Sequence, residues 1–435
     1  MTTAPHLSRR TFLGAAGATA GALALSACGS DDEKTPPADD NSPQTIDWWH
    51  IQTTEPGLTQ WATMAKAYQD AHPNVTINIT PLENEAFKAK LTTAGQAGNV
   101  PDLFQSWGGG VLQQQVDAGL VKDLTDSTSS WTGDLLPASL QPYTVEGKLY
   151  GIPWDVGMVG FWYNKDLFAK AGITAPPKTW AELLTTVTTL KSKGITPIAL
   201  AGKDKWPGHF YWAYLAMRTA GLDALKAAAE SKDFNTPDFI QAGAHLKALV
   251  DLQPFQKGFL AAQYDKPGGQ AANMGNGNTA MELMGQWAPV TQTSSSASGK
   301  GLGDKVGFFT FPAVDGGKGS ATDAFGGGNG FCIGKDAPPA TVDFLKFLLN
   351  TDNQRTAAGN GTLPTNKSAS DAIKDPNITT VSTTLASATG FQLYLDQAFP
   401  PAVGAEVNDA VAALIAGQST PEKVVQAITQ VAKSQ

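Results

Sequence analysis

Cysteine is nearly missing from this chain of 435 residues: Cys28 and Cys332 are the two present. Two cysteines build no disulfide framework, and no Cys/His cluster has the spacing of a zinc site. Charge is scarce too, at 16% of residues against a usual ~25%. Basic residues are outnumbered, 31 to 39, for a net charge of −8. An acidic body with no basic stripe is a poor partner for nucleic acid. No Gly-x-x-x-x-Gly-Lys-Ser/Thr occurs to cradle a nucleotide. The run Gly326-Gly327-Gly328-Asn329-Gly330 lacks that lysine and reads as a loop of close backbone approach. No cofactor and no metal are expected. What is present is a 42% apolar composition, ample for a large core and incompatible with disorder. At roughly 100–200 residues per domain, two or three folding units are expected.

The N-terminus reads as an export address. Arg9-Arg10 precedes an apolar run over 12–25, rich in Gly and Ala and too short to span a bilayer. The arginine pair points to the twin-arginine route. Leu25-Ser26-Ala27-Cys28 looks like a lipobox, which makes 1–27 a signal peptide and Cys28 the lipidated residue. The acidic, Pro-containing stretch 28–44 reads as a disordered tether. No later segment offers a membrane span, so the expectation is a protein anchored by lipid alone outside the cytoplasmic membrane. Cys332, between Phe331 and Ile333, is then solitary and reads as an inert buried thiol.

From residue 45 onward, short β-rich runs alternate with helical periods. Strands are predicted at 45–51, 75–79, 102–107, 156–163, 195–200, 279–284 and 306–311. Leu58, Trp61, Ala65 and Tyr68 fall on one helical face. Thr179 and Glu182 form a capping box for a helix that ends at Gly194. This alternation predicts an α/β protein with helices on both faces of its sheets, and the length favours two lobes with a cleft between them. In such sheets ligands sit at the carboxyl ends of strands.

The tryptophans are informative by position. Trp61 and Trp162 lie mid-element and read as core. Trp48 and Trp49 alternate on one strand, so at most one of them meets a ligand. Trp107, Trp154, Trp206 and Trp287 instead sit where strands end in Gly- or Pro-containing turns. Rings placed there present flat faces to a cleft, and the C–H face of a pyranose stacks on an indole. Polar groups that bond sugar hydroxyls accompany them: His50, Gln52, Glu55, Gln105, Asp155, His209, Gln286 and Asn329.

The segment 147–184 resembles the family 1 extracellular solute-binding proteins, the sugar receptors of ABC importers related to maltodextrin-binding protein. The resemblance rests on Tyr150-Gly151-Ile152-Pro153, on Trp162-Tyr163-Asn164-Lys165-Asp166-Leu167-Phe168, and on Thr179-Trp180 ahead of a helix. Pro101-Asp102-Leu103 before Trp107 and Gly285-Gln286-Trp287 match as well. The resemblance implies a two-lobe periplasmic-binding-protein-like fold with three hinge crossings, near 153–157, 306–312 and 349–355. The lobes would be 45–155 with 307–352, and 156–306 with 353–435. It implies stacking by Trp107, Trp287 and Tyr211, an acidic contact at Asp155, and a C-terminal aromatic supplied by Phe391 or Tyr394. The run 203–212 resembles actinobacterial receptors for xylobiose-type sugars. The expected function is capture of a short oligosaccharide by a monomer that delivers it to an ABC permease, with no bond broken.

A secreted glycoside hydrolase would also display cleft aromatics, but it needs two carboxyls about 5–10 Å apart. Asp155 with Glu55 or Glu282 are the available pairs, and no local motif joins them. A receptor for a peptide or a charged solute is the other alternative. Lys203 and Lys205 are the few basic residues near the expected cleft, which disfavours anions.

Overall fold

Alternation of apolar and polar residues makes the first ordered segment a strand: Ile46, Trp48 and His50 turn inward while Thr45 and Asp47 stay exposed. The computed structural model describes residues 42–435. The expected signal segment, Cys28 and the expected tether before Ser42 lie outside the described residues. In chain order the strands that matter here are β1 (Gln44–His50), β2 (Val75–Pro81), β3 (Leu103–Ser106), β4 (Gly151–Pro153), β5 (Gly157–Met158) and β6 (Gly160–Asn164). They continue with β7 (Thr196–Ile198), β8 (Thr279–Met284), β9 (Val306–Phe309), β10 (Ala324–Gly327), β11 (Gly330–Ile333) and β12 (Phe391–Leu393).

Two main sheets form. The first has the order β2-β1-β3-β11-β4, with β1, β2 and β3 parallel and β11 antiparallel to its neighbours. The second has the order β9-β6-β8-β7, with β7 and β8 parallel. A third, β12-β10-β5, is small. Each main sheet has its own core. Leu103 and Phe331 face a cluster containing Trp48, Trp61 and Phe344, and their chain neighbours Phe104 and Cys332 face another with Phe87 and Leu91. Side chains one residue apart thus cover opposite faces, the signature of a sheet buried on both sides. Around the second sheet, Phe161, Trp162, Met281 and Leu283 share one large core with the helix Trp206–Ala220. The expected capping box is present, Thr179 accepting from the Glu182 N–H at 3.2 Å while Glu182 accepts from the Thr179 N–H. Among the described residues, no helix is long and apolar enough to cross a membrane.

Three readings need correction. The predicted strand 156–163 is two strands in different sheets, because β5 pairs with β10 while β6 enters the second sheet. Both are buried, so the apolar run gives no sign of the break between them. The segment 307–352 does not belong wholly with the first sheet: β9 pairs with β6, and the chain returns only between Gly327 and Gly330. Nor does 353 begin the second lobe, since the helix Thr351–Gly359 buries Ala357 in the first core, and Ile378 and Val381 belong to the second.

Below the gap between the sheets, three segments are stitched together. The Trp154 N–H donates to the Asn329 carbonyl at 2.7 Å, and the Val156 N–H to the Leu363 carbonyl at 3.0 Å. Glycine is required at this crossing: a Cβ on Gly328 would lie 1.9 Å from the Asp155 carbonyl oxygen, and one on Gly326 2.3 Å from that of Gly157. The glycine-rich run is therefore a place of close backbone approach.

Candidate ligand-binding site

Residues that follow the carboxyl ends of β1, β2 and β3 share one cavity with residues that follow β7 and β8. Its volume is about 450 Å³. Gln52, Glu55 and Trp107 come from the first sheet; Trp206 and Trp287 come from the second. Asp155, Asn329 and Tyr394 line it from the connecting segments. Trp107 and Trp287 thus open onto the same space, and both keep partial exposure. Trp61, Trp154 and Trp206 also border it but are more deeply buried.

His50, His209 and Tyr211 do not line the cavity. His50 is 1% exposed, packed between Trp48 and Trp61, and its Nδ1 accepts from the Gln52 N–H at 3.2 Å. Burial pulls its pKa down to about 3, so it is a neutral support beneath the site. His209 and Tyr211 are buried for a simple reason of phase. The segment beginning at Trp206 is helix from its first residue, so Trp206 and Phe210 share the face toward the cavity. His209 then turns toward Phe325, and Tyr211 toward Phe161 and Phe255. Phe391 is 45% exposed and lies away from the cavity, whereas Tyr394 lines it and stacks on Phe210 at 5.6 Å. Of the first two tryptophans, Trp48 is core, and Trp49 lies under the Lys90 ammonium, 3.9 Å from the ring, outside the cavity.

Sequence reading missed Phe210, Tyr264, Asp204, Lys88 and Asp396, all of which border the space. The Lys88 ammonium lies 3.2 Å from the Asp396 carboxylate and 5.6 Å from the centre of the Trp107 ring. Burial alone would raise the Asp396 pKa, but Lys88 and His209 hold it below its ordinary value. Position relative to a helix start could have found Phe210; nothing local marks the Lys88–Asp396 pair.

Asp155 is the most constrained polar group. One oxygen accepts from the Asn329 N–H at 2.7 Å and the other from Asn329 Nδ2 at 2.8 Å. Asn329 Oδ1 in turn accepts from Gln105 Nε2 at 2.6 Å. Burial nonetheless raises the Asp155 pKa to about 6, against the two bonds that lower it. A raised folded-state pKa means that the stabilising proton is fully present below the unfolded value and lost as pH rises through about 6. Asp155→Asn removes this dependence. The difference in melting temperature between wild type and the variant should therefore fall steadily as pH rises from about 4 to 7, the window set by the unfolded and folded values. A pH-independent difference would contradict the assignment.

Not every polar atom at the cavity is matched within the protein. Gln286 Oε1, Tyr394 Oη and Asn84 Oδ1 are buried without a hydrogen-bond partner. Unpaired buried acceptors and hydroxyls are costly unless a ligand or water satisfies them. Glu282, by contrast, is fully buried in the second core and accepts from Gln270 and Gln292 at 2.9 and 2.7 Å. That removes it from the cleft, and with it one of the two candidate carboxyl pairs for a hydrolase. Cys332 is buried, and burial pushes its thiol up to about 12.

Two sheets with separate cores and one aromatic, hydrogen-bonding cavity between their strand ends define a two-lobed α/β binding protein. The chain belongs to the bacterial extracellular solute-binding protein family, whose model matches residues 53–355. It is 25% identical over 371 residues to the diacetylchitobiose binding protein DasA of Streptomyces coelicolor, covering 84% of each chain. Among solved structures it resembles a chain from a study of xylan utilization by the thermophilic bacterium Caldanaerobius polysaccharolyticus. That likeness has a TM-score of 0.83 and 31% identity, and covers 89% of this chain and 99% of the other. A chitin oligosaccharide binding protein is similar at a TM-score of 0.83 and 28% identity, over 90% and 98% of the two chains.

Proposed function

We propose that this protein is an extracytoplasmic receptor that captures a short oligosaccharide between its lobes and delivers it to the permease of an ABC importer. The observation that carries the reading is the pair Trp107 and Trp287. They come from different sheets, keep exposed surface in one cavity, and are accompanied by unpaired amide and hydroxyl groups. Indole faces suit the C–H faces of a pyranose, and polar atoms such as Gln286 Oε1 and Tyr394 Oη suit its hydroxyls. Similarity to a diacetylchitobiose binding protein and to a chitin oligosaccharide binding protein supports the sugar class. The preferred ligand is a β-linked disaccharide or short oligosaccharide, with xylobiose the first candidate.

In this reading one lobe comprises 45–153 and the stretch from Gly330 through Ala357. The other comprises 160–327 and the tail from Ile378. The stitched segments around Trp154, Asn329 and Leu363 form the hinge. The sugar contacts both lobes only when they close, and that differential affinity shifts the equilibrium to the closed form. The closed monomer docks on its permease while the Cys28 lipid holds it at the outer face of the membrane. Calorimetric titration with xylobiose, cellobiose, diacetylchitobiose and maltose tests the reading. A dissociation constant in the micromolar range or tighter, roughly −8 kcal/mol, is expected for at least one β-linked sugar. Absence of binding to all four would contradict it.

A further inference from the structure

Two ion pairs cross the gap between the sheets, and both start from one helix. Helix Asn84–Gln96 belongs to the first-sheet side, where its Phe87 and Leu91 bury beside Phe104. Glu83 flanks the helix start without making a capping bond, and its carboxylate pairs instead with Lys266. Just over one turn further on, the Lys88 ammonium lies 3.2 Å from Asp396. The partners belong to segments of the second core: Tyr264 and Ala271 bury on either side of Lys266, and Leu395 precedes Asp396. The two pairs run in opposite senses, acid to base and base to acid. They match in one register of the two sides and clash in a shifted one.

Backbone meets backbone beside these pairs. Helix Gly109–Asp117, fixed on the first-sheet side by Leu112, begins against residues 397–399. A Cβ on Gly110 would lie 2.5 Å from the Phe399 carbonyl carbon and 2.9 Å from the Ala398 carbonyl oxygen. Phe399 is itself 7% exposed and packs on Phe234 of the second core. A main chain anchored in this way cannot swing aside as a flexible side chain would. Gly109 has a φ of 66°, but Gly110 is not in the left-handed region, so close approach alone excludes a side chain there.

Resting on the two-lobe receptor reading above, we propose that these contacts form a closure latch. The Glu83–Lys266 and Lys88–Asp396 pairs and the seat of Gly110 against Phe399 favour the closed form before any sugar binds. Lys266 and Gly110 do not line the cavity, so they are positioning residues. They act on affinity through the closed fraction, because apparent affinity scales with the population of the binding-competent form.

The test combines small-angle X-ray scattering of the sugar-free protein with calorimetric titration by xylobiose and diacetylchitobiose. Gly110→Ala is expected to raise the sugar-free radius of gyration and to weaken sugar binding about tenfold or more. Charge exchange gives an arm that does not depend on packing. Glu83→Lys and Lys266→Glu should each weaken binding several-fold, and together they should restore it to within about twofold of wild type. A direct sugar contact by Glu83 would show no such rescue. Wild-type scattering and affinity in Gly110→Ala would overturn the latch and leave the receptor reading intact. So would weaker binding without expansion, or a double exchange as weak as the two single changes combined. If neither sugar binds, the receptor reading loses its support, while the scattering comparison still decides the latch.

Discussion

Alanine in place of Trp287 is expected to weaken oligosaccharide binding by about 100-fold or more, close to 3 kcal/mol, with little change in melting temperature. The asymmetry follows from where the ring sits. It follows β8, where Gly285 lets it lie flat against the chain: a Cβ at 285 would meet its ring carbons at 2.1 Å. One edge approaches Tyr394 at 6.4 Å, and part of the ring remains exposed to the cavity. An indole with one packed and one open face contributes little to folding and much to a ligand that desolvates it. Gly285→Ala should displace the ring and reproduce part of the loss. Calorimetry and thermal unfolding on the same preparations give both quantities. An affinity within a factor of about three of wild type would remove Trp287 from the site.

The largest effect on stability is expected for Trp61→Ala, a loss of about 3–5 kcal/mol. Trp61 is 2% exposed and touches four other rings: Trp48 stacked at 5.2 Å, His50 at 4.6 Å, Phe331 at 5.3 Å and Trp154 at 5.7 Å. Removing it opens a cavity that these rigid neighbours cannot fill, and it loosens Trp154, whose N–H donates to the Asn329 carbonyl. Denaturant unfolding followed by fluorescence measures the loss. A cost below about 1 kcal/mol would mean that the first core does not depend on this cluster.

Much of the architecture was legible because hydrophobic period and strand-end chemistry are local. Trp107 before three glycines and Trp287 within Gly-Gln-Trp-Ala-Pro could be placed at a cleft from their neighbours alone. The phase of a helix could not. Reading Trp206 as a loop residue leaves His209 free to face the ligand, and the family resemblance puts Tyr211 there, whereas a helix starting at Trp206 turns both into the core and brings in Phe210. Contacts between distant segments were equally silent: Lys88 with Asp396, and Lys266 with Glu83, join residues hundreds or scores of positions apart. The passage between sheets was obscured for another reason. Residues 156–163 are apolar throughout because six of the eight are buried and Val156 and Tyr163 are partly so, and burial on both sides of the break hides a change of partner.

The most direct measurement is a crystal structure of the protein grown with the tightest-binding disaccharide. A sugar ring is expected between Trp107 and Trp287, with Gln286 or Tyr394 bonded to its hydroxyls. A sugar bound elsewhere on the molecule, or one touching only a single lobe, would contradict it.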